Sequence, residues 1–187
     1  MSVKEWTELS KQNEKLAIRK TFESYYPRLA NISMRYGKDD QQAEAMIHYG
    51  FYHFISRLRK QISGSSIDDL LGTEFIRECV RFVKELRKEY FVSYTVHVRQ
   101  DTQDDQTAIS DVDHEKLQSI DRRVLIQILR QLPPAQRLVF NLHIIEGFDL
   151  RQTADLMDSS PEAVKLNLEH ARRSFQTLLA GASSQFK

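Results

Sequence analysis

The sequence predicts an all-α protein: two small helical domains joined by an acidic linker. Three observations carry that prediction. Apolar residues recur at three- and four-residue steps along most of the chain, which is the helical period. Six glycines and four prolines in 187 residues leave room for long helices. Between Asp101 and Glu115 stand six acids and no lysine or arginine. Low hydrophobicity with charge of one sign marks a segment that builds no core. The expected boundaries are a first helical domain at 1–92, the linker at 93–119 and a second helical domain at 120–187.

The first helix is expected from about Glu14 to Tyr36, with Leu16, Phe22, Tyr25, Leu29, Ile32 and Tyr36 inward. Pro27 should kink it or shift its start. Gly37 stops it, and Asp39 and Asp40 bring acids to the positive end of the next helix. That helix runs from about Asp40 to Gln61, burying Ala43, Ile47, Phe51, Phe54 and Leu58. Ser63 to Ser66 form a loop. A third helix runs from about Asp68 to Phe91, with Phe75, Cys79, Phe82, Val83, Leu86 and Tyr90 inward. "SYTVHV" then alternates as a short strand would, but no partner strand follows, which favours a loop.

Helical periodicity restarts at about Ile120. "RRVLIQILRQL" is one helix, and "PPAQRLVFNLHIIEG" a second, with proline at its start and Gly147 just past its end. "DLRQTADLM" is a short third. "SSPEAVKLNLEHARRSFQTLLA" is a fourth, with Ser160 as N-cap and Pro161 in its first position. The tail "GASSQFK" is expected to fray.

Composition narrows the function. A net charge of +1 means that nucleic-acid affinity must come from local basic stripes. The one cysteine, Cys79, forms no internal disulfide and reads as a reduced core thiol. No signal peptide or membrane-spanning run is visible, so a cytoplasmic protein without membrane insertion is expected. The histidines are scattered, no metal-ligand spacing occurs and no glycine-rich phosphate loop appears. Neither an enzyme nor a cofactor is therefore expected.

Two surfaces suggest nucleic-acid contact. On the third helix Arg77, Arg81, Lys84 and Lys88 fall within roughly 60° of one another, opposite the apolar stripe. Cations one turn apart can follow a phosphate backbone. Glu74, Glu78, Glu85 and Glu89 form an acidic row beside them, and the plainer alternative is a solvated face of ion pairs, Glu74 with Arg81 and Glu85 with Lys88. At the other end, "DLRQTADLM", a short break and a long helix have helix-turn-helix spacing. Val164, Leu168, Ala171, Phe175 and Leu178 would pack on Leu150, Ala154 and Met157. The opposite face carries Glu162, Lys165, Leu166, Glu169, Arg172 and Arg173, flanked by Asn167 and His170. Its cations suit phosphates, and Asn167 and His170 suit bases or backbone. The alternative is an ordinary helical hairpin.

The two halves together resemble the extracytoplasmic-function group of bacterial RNA polymerase sigma factors, in the sigma-70 family. "FESYYPRLANISMRYGKDDQQAEAMIHYGFYHFISRLRK" is similar to region 2, and "LRQLPPAQRLVFNLHIIEGFDLRQTADLMDSSPEAVKLNLEHARRSFQTLL" to region 4. The resemblance implies that region 2 binds the clamp helices of core polymerase and opens the −10 element. It implies that region 4 binds the −35 element and the β-subunit flap, with the linker threading towards the active-site channel. Arg77, Arg81, Lys84 and Lys88 would then face the −10 element. Lys165, Asn167, His170, Arg172 and Arg173 would face the −35 element. An anti-sigma factor is a candidate further partner.

Several positions depart from the family pattern. Ala45, His48 and Tyr49 stand where polar clamp-binding residues are usual, and with Tyr52 they give the polymerase-facing side an aromatic character. His48 and His53 do not share a helix face. Asp158 replaces a turn glycine, Leu166 a small polar residue, and Asn167 and His170 two arginines. Losing two phosphate contacts should weaken DNA binding by their salt-dependent share. A second expectation is therefore a sigma-like adaptor acting mainly through protein contacts. A dimeric helix-turn-helix factor ranks last, since no dimerisation helix is visible.

Overall fold

In the computed structural model, residues 2–60, 66–86, 117 and 119–185 are described, and every regular element among them is helical. The chain divides into two units, Met1–Phe82 and Val83–Lys187. "SYTVHV", Lys88, Tyr90 and the acidic run lie outside the described residues.

The first unit opens with α1 (Val3–Tyr36), which begins in a capping box. Ser2 Oγ accepts from the Glu5 amide at 3.2 Å, and Glu5 Oε2 accepts from the Ser2 amide at 2.7 Å. The break in α1 falls at Asn13 (φ −153°, ψ 91°), not at Pro27. Asn13 Oδ1 accepts from the Leu16 amide at 3.0 Å and so caps the longer part of the helix, whose expected start was Glu14. Pro27 lies on the exposed face, where solvent can satisfy the carbonyl it leaves unbonded. Ahead of the break, a helical segment from Val3 that periodicity did not reveal buries Trp6 to 2% exposure. Leu16 was expected inward but is 38% exposed; just past the break Ala17 takes the inward place.

Helix α2 (Asp40–Arg59) starts on Asp39, whose Oδ1 accepts from the Gln42 amide at 2.8 Å. It buries the expected stripe, Ala43, Ile47, Phe51, Phe54 and Leu58. Phe22 of α1 meets Phe51 edge-on, ring centroids 5.0 Å apart. Helix α3 (Ile67–Glu85) lays Phe75 directly over Gly50, where an added Cβ would come within 2.5 Å of the Phe75 ring. Phe75 and Cys79 are buried as expected, whereas Leu86, one turn past the end of the core stripe, is 56% exposed. The Tyr25 hydroxyl donates to Asp68 Oδ2 at 3.2 Å, tying α1 to the first turn of α3. Burial, then the Asp68 charge, raises the Tyr25 phenol above its ordinary range.

The second unit holds α4 (Arg122–Gln131), α5 (Pro134–Val139), α6 (Leu150–Met157) and α7 (Pro161–Gln185). Without a break, α5 widens into a π-helical stretch, Phe140–Ile145. Gly147 turns the chain at φ 79°, as its place past the helix end requires. Phe140 stacks on Phe175 at 4.6 Å, fixing α7 against the π-helical stretch. Of the tail "GASSQFK", expected to fray, Gly181 to Gln185 continue α7, and Phe186 and Lys187 lie outside the described residues. A glycine costs a helix about 1 kcal/mol but ends it only by turning left-handed. No helix among the described residues is long and apolar enough to cross a membrane.

Candidate nucleic-acid interface

In the first unit, Arg77 and Arg81 of α3 share one face, their side chains 51% and 50% exposed. Of the acids expected in a solvated row beside them, Glu85 is exposed and Glu89 lies outside the described residues, but the other two are not solvated. Glu74 and Glu78 are buried, at 8% and 4% exposure. Each buried carboxylate holds an arginine three residues on. Arg81 Nη1 donates to Glu78 Oε2 at 3.1 Å, and Arg77 Nη1 lies 3.6 Å from Glu74 Oε1. The expected partner of Glu74 was Arg81; the i,i+3 pairing replaces it because Glu78 stands closer to Arg81 along the same face.

The periodicity of α3 gave no sign of a third arginine here. Arg57 comes from the last turn of α2 and sets its Nη1 2.8 Å from the same Glu74 Oε1. Lys84 lies past the boundary of the first unit and pairs with Asp158 of the second. Lys88 lies outside the described residues.

On α2, Ala45, His48 and Tyr52 are exposed, Tyr52 to 69%, and Tyr49 is half-buried. Tyr49 packs on the His53 ring at 4.6 Å and meets Phe82 edge-on at 5.5 Å. Tyr52 also meets the His53 ring, edge-on at 5.5 Å. The aromatic face is therefore a connected set of rings, and only part of it faces solvent.

In the second unit, α6 and α7 form the helix-turn-helix. Asp149 and Gln152 close a capping box on α6, with bonds of 2.8 and 2.9 Å. Asp158 turns the chain left-handed at φ 49°, the place where glycine would be unstrained. Ser160 Oγ accepts from the Ala163 amide at 3.1 Å, as its place before Pro161 predicted. Val164, Leu168, Ala171 and Phe175 are buried together with Ala154 and Met157; Leu150 and Leu178 are half-buried.

The outward face of α7 carries Glu162, Lys165 and Arg173, all exposed; Leu166, Glu169, His170 and Arg172 are half-buried. Asn167 turns its amide back onto the helix, donating to the Ala163 carbonyl at 2.9 Å. Among the described residues no cluster of histidine, cysteine or carboxylate could hold a metal.

Residues 122–175 match the family model described as Sigma-70, region 4. No curated protein sequence matches the chain significantly. Among solved structures, the fold is similar to the sigma factor RpoE, solved with the anti-sigma factor NepR from Bartonella quintana. That likeness has a TM-score of 0.52 at 18% identity, over 87% of this chain and 96% of that one. CnrH, solved with the cytosolic domain of CnrY, aligns at a TM-score of 0.49 and 15% identity, over 94% and 95%. The matched segment begins at the start of α4 and ends at Phe175, so it covers α6, the turn and α7 up to Phe175. Residues 122–175 thus carry a Sigma-70 region 4 domain, and the chain shares its all-helical fold with the RpoE structure.

Proposed function

We propose that this chain is a sigma factor of the extracytoplasmic-function type, acting in the cytoplasm, which binds core RNA polymerase and promoter DNA. The match of region 4 to a helix-turn-helix with Lys165 and Arg173 outward carries the reading. In this reading α7 lies at the −35 element, with Lys165, Arg172 and Arg173 on phosphates and His170 beside them. Asn167 contributes less, because its amide is already engaged. Arg77, Arg81 and Lys84, with Lys88 beyond, approach the −10 element. Ala45, His48, Tyr49 and Tyr52 face the polymerase clamp. An anti-sigma factor is a further partner in keeping with the protein solved beside RpoE. The protein works by binding and not by catalysis.

The test is co-elution with core polymerase, followed by run-off transcription over a genomic promoter library. Co-elution together with at least one specific start supports the proposal, and the absence of both rejects it.

One observation favours a second reading, a sigma-like adaptor acting mainly through protein contacts. Tyr52 is 69% exposed within an aromatic set that replaces polar clamp-facing residues. Strong, salt-sensitive binding to a specific promoter, lost on K165A with R172A, would count against it.

A further inference from the structure

We infer that Arg57 of α2 and Arg77 of α3 form a two-arginine clamp for one backbone phosphate of nucleic acid, held in place by the buried carboxylate of Glu74. The inference rests on the reading of α3 as a nucleic-acid face and adds to it a residue from another helix.

Both guanidiniums converge on a single atom. Arg57 Nη1 lies 2.8 Å and Arg77 Nη1 3.6 Å from Glu74 Oε1. The two nitrogens are therefore no further apart than the sum of those distances. That is within reach of the oxygens of one phosphate, each accepting at about 2.8 Å.

Two cations so close repel each other unless a charge holds them. Glu74 supplies it, and its side chain is only 11% exposed, so solvent screens the attraction little. The second oxygen, Oε2, is buried without a hydrogen-bond partner among the described residues. One carboxylate against two guanidiniums leaves a formal charge of +1 at the site.

Both arginines are about half exposed, at 45% and 51%, and each has five N–H donors of which Glu74 engages one edge. Planar forks with free edges suit a phosphate better than lysine would. Arg81, by contrast, is paired one to one with Glu78 among the described residues.

The test is fluorescence anisotropy of the full chain on a labelled single-stranded oligonucleotide, across a salt series. R57Q and R77Q should each weaken binding on the order of three- to ten-fold. Each should lower the salt slope by about 1, and the double variant should lower it by no more than either single variant, because the same phosphate is lost in all three. A slope loss of about 2 in the double variant would mean two independent contacts and overturn the clamp.

Glu74→Gln separates positioning from bulk charge. Removing an acid should tighten non-specific binding if Glu74 merely adds negative charge. As the positioning residue, it should weaken binding despite the added positive charge; tighter binding overturns its role. R57K guards against folding artefacts. It keeps the charge but not the fork, and should recover only part of the loss at an unchanged helical melting curve.

If R57Q and R77Q leave affinity unchanged while K165A weakens it, the clamp is wrong and the wider reading stands. If no variant matters and the chain ignores nucleic acid even at low salt, the nucleic-acid reading itself fails.

Discussion

Arg81 and Glu78 depend on each other unequally. The arginine is half exposed at 50%, whereas the carboxylate side chain keeps only 5% of its surface in water. Deleting the arginine leaves a charge with no solvent to receive it; deleting the acid leaves a cation that water satisfies. Arg81→Ala should therefore cost about 2 kcal/mol in urea unfolding, and Glu78→Gln under about 1 kcal/mol. The double variant should recover most of the R81A loss. A cost for E78Q equal to or above that of R81A would contradict the asymmetry. The sequence showed both residues, but not their difference. On a helical wheel Glu74 and Glu78 stand beside the cations like any solvated row. Their burial depends on how α2 and α3 pack, and one of the partners, Arg57, lies seventeen positions before Glu74 in the sequence.

Among the elements, α2 and α3 meet where the smallest residue faces one of the largest. Gly50 sits under Phe75, and an added Cβ would lie 2.5 Å from Cε2 and 2.7 Å from Cδ2. Alanine favours a helix over glycine by about 1 kcal/mol, so propensity alone predicts that Gly50→Ala stabilises. Here overpacking should win, because the ring is fully buried and its neighbours are close-packed. We expect a net loss of about 1–2 kcal/mol, read from the urea midpoint, and a partial rescue by F75L. An increase in stability would show that the ring yields easily. The inward stripes of α2, α6 and α7 were legible because apolar spacing alone fixes such faces. The ends of α1 and α7 were less so. At about 100° per residue Leu16 lies opposite Leu29, Ile32 and Tyr36, so its three- and four-residue spacing was misleading, and at Gly181 a residue that can end a helix does not.

Across the whole molecule, charge is nearly balanced, with 27 basic against 26 acidic residues. The balance is uneven along the chain, since Asp101 to Glu115 contribute six acids and no base. Removing that run takes the net charge from +1 to +7. Long-range repulsion of phosphates should fall accordingly. Deletion of 101–115 is expected to tighten non-specific DNA binding at low salt, with the gain fading as salt rises. An unchanged dissociation constant at matched salt would reject that expectation. The fold class and the order of the helices were legible at this scale, since periodicity and linker composition are properties of long stretches. The candidate interface was legible only in part. Lys165 and Arg173 stand outward as read, whereas Asn167 spends its amide on its own helix, a choice of rotamer that no spacing announces.

The break at Asn13 means that α1 possesses two beginnings. Ser2 and Glu5 start the first, and the Asn13 side chain starts the second without help from anything upstream. Trimming the chain to begin just before Asn13 would therefore cost no helix end. The stability lost would report chiefly the anchoring of Trp6, about 3 kcal/mol for a buried tryptophan. W6A in the untrimmed chain should lose a similar amount in urea unfolding. A truncation much more damaging than W6A would show that the two beginnings are coupled.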